Sequence, residues 1–105
     1  MYRPLPNCCT IKNSIIEGLG LFATEFIPKG TDLGMTHIFD DRFPNGVIRL
    51  PLGGFFNHSE NPNCQIVDGS IDEHNNVISH LRLITMKDIN EGDEMTAFYT
   101  LYQPK

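Results

Sequence analysis

FFNHSENPNC, residues 55–64, sets the most apolar pair in the chain, Phe55 and Phe56, directly against Asn57 and His58, then closes on Asn61, Pro62, Asn63 and Cys64. A surface turn needs only one or two such polar residues to bend the backbone. Here amide, imidazole and hydroxyl groups crowd a single stretch. The phenylalanines imply that Asn57 and His58 begin from a buried strand, where polar groups must find partners. Asn57 can donate two hydrogen bonds and accept through its carbonyl oxygen, His58 can present a ring face or a nitrogen, and Pro62 with Asn63 forces a defined turn. Taken alone, the stretch also reads as an Asn-rich surface loop.

The rest of the chain narrows the choice. With 105 residues, it is expected to form one domain, residues 1–105, near the lower limit for an adequate core, which dimerisation would help. A net charge of -5 with scattered Lys and Arg argues against a phosphate-backbone binder, so no direct nucleic-acid contact is expected. An acidic surface suits basic partners, although mild acidity also serves solubility. Cys8, Cys9 and Cys64 make an odd set with an adjacent pair. Without a signal-peptide or transmembrane run, they point to a reduced, intracellular setting and no membrane association. Neither a paired-Cys motif nor a His pair at ligand spacing is present, so no metal is expected.

Seven prolines and nine glycines leave little room for an amphipathic helix. The fold class is mostly β with little helix, with strands expected at Thr10 to Ile16, Leu21 to Thr24, Thr31 to Phe39, Cys64 to Val67, Val77 to Ile84 and Glu94 to Tyr99. In VISHLRLIT, residues 77–85, Val77, Ser79, Leu81 and Leu83 share one face, and Ile78, His80, Arg82 and Ile84 the other. This strand should pair with CQIV, residues 64–67. DGSIDEHNN, residues 68–76, reads as a polar hairpin loop without chemistry, and His74 and His80 as bystanders. FIPKGTDL, residues 26–33, and DINEGDEM, residues 88–95, share an Ile three positions before a Gly. Both read as a tight turn launching a strand, with Gly30 and Gly92 in backbone conformations other residues resist. The stretch 36–52, with Pro44, Asn45, Gly46 and Pro51, reads as a connecting excursion.

Two further patterns carry potential chemistry. EGLGLFA, residues 17–23, holds Gly18 and Gly20 around Leu19; alone it marks a turn, since the third glycine and the helix of a dinucleotide fingerprint are missing. Its backbone has no Cβ to block a ligand. GDEMTAFYTLY, residues 92–102, ends a strand at Tyr99, with Met95, Ala97 and Tyr99 on one face; alone, such a tyrosine is a plug for a core.

In this order and spacing, EGLGLFA, FFNHSENPNC and INEGDEMTAFY resemble the SET-domain protein lysine methyltransferases, and among them the very small virus-encoded SET proteins. The resemblance spans about residues 10–102. It implies a SET-domain (β-clip) fold of several small sheets with a C-terminal pseudoknot. It also implies S-adenosylmethionine as cofactor, leaving S-adenosylhomocysteine, and a lysine in a basic protein as substrate, such as a histone tail or a chromosomal or ribosomal protein. By the same resemblance, Gly18, Leu19 and Gly20 contact the methionine end of the cofactor, while Asn57 and His58 hold its amino group and adenine. Tyr99 is the catalytic tyrosine; Asn63 braces the knot and Cys64 packs. The small viral members further suggest a homodimer, and a cytoplasmic or host-nuclear location.

The implied chemistry suits these residues. A lysine with a pKa near 10.4 is neutral only about one time in a thousand near pH 7.4. Burial beside a cationic sulfonium favours the neutral amine. No strong general base is then needed, and the tyrosine hydroxyl orients the amine. The chain departs from the family pattern at Gly54, where an Arg is usual, and at Ala97, where Phe or Tyr is common. A small Ala97 should admit a di- or trimethyl product unless Tyr2 or Tyr102 fills the channel. A non-catalytic module of the same fold, holding cofactor or a Lys-rich peptide, and a purely structural β domain are the competing readings.

Overall fold

The computed structural model describes residues 5–73 and 76–98, so Tyr2, His74, Tyr99 and Tyr102 lie outside the described residues. Among the described residues, eight strands and one turn of helix follow in the order β1 (Cys9–Asn13), β2 (Leu19–Ala23), β3 (Asp32–Phe39), β4 (Val47–Arg49), α1 (Pro51–Phe55), β5 (Asn57–His58), β6 (Cys64–Glu73), β7 (Asn76–Thr85) and β8 (Glu94–Ala97). They form two four-stranded sheets, ordered β1-β2-β8-β5 and β4-β3-β7-β6. The mostly-β expectation holds, and the longest departure concerns the hairpin. CQIV does pair with VISHLRLIT, but the ladder runs on from Asp68 opposite Leu81 to Glu73 opposite Asn76. The polar stretch expected as a loop is therefore mostly strand, because a backbone ladder needs no apolar side chains to continue.

The two similar segments prove to be one device used twice. Ile27 and Ile89 face each other across an antiparallel bridge, each N–H donating to the other's carbonyl at 2.8 Å. Around them the hydrogen bonds come in matched pairs. Ala23 N–H donates to Asp93 O and Thr85 N–H to Thr31 O; Gly92 N–H donates to Ala23 O and Gly30 N–H to Thr85 O. Gly30 and Gly92 have φ of 85° and 90°, the left-handed region that a Cβ penalises. Counterparts stay at a constant separation along the chain: 23 with 85, 27 with 89, 30 with 92, 31 with 93. Each half is a hairpin, a glycine turn and a third strand, and the third strands are exchanged: β3 joins β7 of the second hairpin, and β8 joins β2 of the first. This exchange carries the 94–97 segment back beside the glycines of 18–20.

The core lies where the halves meet: Leu21, Ile27, Phe56, Leu83, Ile89, Met95 and Ala97 are each no more than 2% exposed. Burying each large member contributes about 1.5–3 kcal/mol. Cys9 and Cys64 sit at equivalent hairpin positions, opposite Ala23 and Thr85, and are buried. Burial pushes the Cys64 thiol up to about 12 and raises that of Cys9, so both pack as protonated thiols. His80, expected as a bystander, is buried, and a Cβ on Gly69 would meet its ring at 2.6 Å. The 36–52 stretch is more ordered than expected: it holds β4, and Pro51 opens α1, which lays Leu52 and Gly53 against β3. Among the described residues no helix is long and apolar enough to cross a membrane.

The two glycines of α1 are not equivalent. A Cβ on Gly53 would strike the Thr36 carbonyl oxygen, whereas one on Gly54 meets nothing within 4 Å. Gly53→Ala is expected to cost about 1–3 kcal/mol, and Gly54→Ala to stabilise by about 0.5–1 kcal/mol. Urea unfolding of the pair checks both signs, and equal effects would contradict the packing. A second expectation concerns pH. His37 is buried on β3, its Nδ1 2.8 Å from Thr36 Oγ1; burial, and then the charge of Arg49, hold it below its ordinary 6.5. As pH falls through 6.5 the unfolded chain takes up this proton before the folded one does, so the stability contribution is complete above 6.5 and is lost below it. The urea midpoint should drop between pH 7.5 and 5.5; a constant or rising midpoint would count against this burial.

Candidate cofactor site

β8 brings the three sequence motifs together. On one side it pairs antiparallel with β2, Leu21 opposite Met95 and Phe22 opposite Glu94. On the other it pairs parallel with the two-residue β5, Asn57 beside Thr96 and His58 beside Ala97. So short a ladder is completed by a side chain. Asn63 Nδ2 donates to Glu94 O at 2.8 Å, and Thr96 N–H donates to Asn63 Oδ1 at 2.9 Å. The Asn63 side-chain amide thus stands in for a further residue of strand, and the Asn63 backbone carbonyl accepts from Met86 N–H at 2.7 Å. Asn63 braces the C-terminal strand.

Glu94 and Thr96 alternate along β8 with the core residues Met95 and Ala97, and Phe98 follows the strand. Glu94 is the hub. Its two carboxylate oxygens lie 2.7 and 2.8 Å from Ser14 Oγ, and Asn57 Nδ2 donates to Oε2 at 2.7 Å. Ser14 Oγ accepts from Ile16 N–H at 2.9 Å, which turns its own proton toward the carboxylate. Asn57 Nδ2 also faces the carbonyls of Glu17 at 3.2 Å and Leu19 at 3.4 Å. Three oxygens around one nitrogen fix the amide's orientation, because a flipped amide would set oxygen against oxygen. No donor among the described residues reaches Asn57 Oδ1.

Gly20 has a structural reason that the sequence did not disclose. A Cβ there would collide with the Glu94 carboxylate, so this glycine makes room for Glu94 and not, at this atom, for a ligand. Gly18 is exposed with φ of 45°, Leu19 is half exposed, and the space around Gly18 is open. Asn57 thus borders the exposed Gly18 and Leu19, with the buried Gly20 beside them. The His58 ring tilts against Phe98 at 4.7 Å. Phe98 in turn lines a cavity of about 330 Å³ with Pro62, Cys64, Gln65, Ile66, Asp68 and Met86. A second cavity of about 370 Å³, between Leu5, Pro6, Leu33, Gly34, Met35, Leu50 and Leu52, is lined by no residue of the three motifs. Ala97 is fully buried in the core; its proposed channel partners Tyr2 and Tyr102, and the catalytic candidate Tyr99, lie outside the described residues. At Gly54, where the family usually has Arg, an added Cβ would meet open space.

The sequence reading missed Ser14, Glu94 and Phe98. Glu94 offered one signal, an acidic residue opening a strand whose next residue is apolar, but its partners stand 37 and 80 positions away. Nothing local in the sequence reports such contacts.

A family model described as SET domain matches residues 35–100, well over half of the chain, and the chain belongs to the SET-domain family. That match contains the second and third motifs; the glycines at 18–20 precede it. Solved structures extend the similarity over nearly the whole chain. A candidate histone methyltransferase of Plasmodium falciparum superposes with a TM-score of 0.72 at 22% identity, over 95% of this chain and 99% of that one. A humanized Chaetomium thermophilum Polycomb Repressive Complex 2 bound to the inhibitor GSK126 gives 0.66 at 20% identity, over 92% of this chain but 15% of that one. The same complex in an autoinhibited conformation bound to S-adenosylmethionine gives 0.65 at 18% identity, over 93% of this chain and 16% of that one. At these identities the structures establish the SET fold. No curated protein matches the sequence.

The brace on β8 is directly testable. Asn63→Ala leaves the Glu94 carbonyl and the Thr96 N–H without their partner and should cost about 1–3 kcal/mol. Urea unfolding measures it, and a loss below about 0.5 kcal/mol would show that water or a neighbour replaces the amide.

Proposed function

We propose that this chain is an S-adenosylmethionine-dependent protein lysine N-methyltransferase acting on a lysine in a basic protein, such as a histone tail or a chromosomal or ribosomal protein. One observation carries the reading. The Asn57 amide spends its donors on the protein and leaves Oδ1, an acceptor that no donor among the described residues reaches, near the exposed Gly18 and Leu19. Such a carbonyl fits an ammonium group, and the neighbouring His58 and Phe98 rings fit the flat base of a nucleoside. The residues present therefore suit S-adenosylmethionine. When bound, that cofactor supplies a methyl group made transferable by its sulfonium charge.

The chain's part is binding, orientation and exclusion of water. Asn57 and the backbone of Gly18, Leu19 and Gly20 would hold the amino-acid end, and His58 the adenine. Tyr99 would hydrogen-bond and aim the substrate amine, in a channel bordered by Tyr2, Ala97 and Tyr102. An apolar channel favours the neutral lysine that attack requires, since burial lowers a lysine's pKa. The net charge of -5 favours a basic substrate.

Calorimetric titration with S-adenosylmethionine and S-adenosylhomocysteine should give one-to-one binding, weakened at least about tenfold by Asn57→Ala through loss of a charge-assisted hydrogen bond. Labelled methyl transfer to basic proteins should follow, with di- or trimethyllysine as product given the small Ala97. Wild-type protein that binds neither ligand would overturn the assignment. Binding without transfer to any basic protein would reduce it to a non-catalytic module.

A further inference from the structure

We propose that Glu94 is a positioning residue for the cofactor: its carboxylate, clamped by Ser14 and seated over Gly20, locks the Asn57 amide with Oδ1 facing the cofactor's ammonium and leaves a negative charge behind it. The proposal rests on the cofactor reading above and assigns a role to a residue which that reading does not use.

Three observations support it. First, an ionised carboxylate can only accept, so it tolerates Nδ2 of Asn57 at 2.7 Å but not Oδ1; the Glu17 and Leu19 carbonyls impose the same choice from the other side. Second, the carboxylate has little freedom of its own. Both of its oxygens lie within 2.8 Å of Ser14 Oγ, and only a glycine at position 20 leaves it room. Third, no cation among the described residues cancels its charge. The internal symmetry supplies the comparison, because the counterparts of Gly20 and Glu94 in the other half are Arg82 and Asp32. There the guanidinium sits 2.7 Å from the carboxylate and holds Asp32 below its usual range. The glycine in place of that arginine leaves Glu94, among the described residues, with a hydroxyl and an amide as partners and no cation. A half-buried carboxylate bonded only by neutral donors is a favourable neighbour for a cationic group one residue away.

Glu94→Gln tests this, because glutamine keeps the shape but can donate to Oδ1, so it neither enforces the Asn57 orientation nor carries charge. Two probes separate positioning from scaffolding: S-adenosylhomocysteine, which has the ammonium group, and 5′-methylthioadenosine, which lacks the amino-acid end. Calorimetry should show S-adenosylhomocysteine weakened about tenfold or more and methylthioadenosine binding unchanged. Ser14→Ala, which loosens the clamp without removing the charge, should shift the same ratio in the same direction by less. It also serves as the test should Glu94→Gln fail to fold, as judged by its urea midpoint. Equal weakening of both probes, or an unchanged ratio in a folded variant, would overturn the positioning role while leaving the cofactor reading intact. Wild-type protein that binds neither probe would overturn both.

Discussion

The structure depends on how β8 is held. A four-residue strand inserted between β2 and the two-residue β5 has few backbone partners of its own, yet its peptide groups are buried enough that each must be paired. Side chains complete the pairing: Asn63 bonds the backbone of β8 on one edge, and Ser14 and Asn57 bond Glu94 on its polar face. Remove β8 and Asn57, Asn63 and Gly20 all lose the reason for their identity. Docking the C-terminal strand and assembling the candidate site are therefore one event. Its contacts bridge 31 to 80 positions, so the loop-closure entropy is large and the site should be among the last parts of the chain to form.

The internal pseudo-symmetry explains why the candidate site is built in one half and not in the other. Both halves use the same hairpin, glycine turn and exchanged strand, and both set an acidic residue at the start of the exchanged strand, Asp32 in β3 and Glu94 in β8. In one half the facing position is Arg82 and the acid ends in a partly exposed salt bridge, which contributes little to stability. In the other it is Gly20, and the acid turns to Ser14 and Asn57. A glycine in place of an arginine thus converts a surface ion pair into an organised polar site.

What the sequence disclosed follows from the range of the interactions involved. The turns at Gly30 and Gly92 were legible because a positive φ restricts residue type within a few positions. The hairpin of CQIV with VISHLRLIT was legible from its alternation. α1 and β5 were not, since one turn of helix and a two-residue strand are too short to show a period. Residues 68–73 were misread because polar composition on an edge strand looks like a loop. Asn57 and His58 drew notice as polar groups beside buried phenylalanines. Glu94, which bonds Asn57, did not, because an acidic residue in a strand is ordinary until the fold sets Ser14 and Asn57 against it.

That position 94 holds a carboxylic acid side chain is itself informative about energetics. Withdrawing a carboxylate partly from water with no cationic partner among the described residues costs free energy that two neutral hydrogen bonds recover only in part. A chain of 105 residues with a modest core has little stability to spare. A neutral amide at 94 could meet the same Ser14 and Asn57 groups at a lower desolvation cost, so stability alone would favour it. The carboxylate is intelligible if the site gains from negative charge and from an acceptor that cannot become a donor. Both requirements belong to a ligand that arrives carrying positive charge.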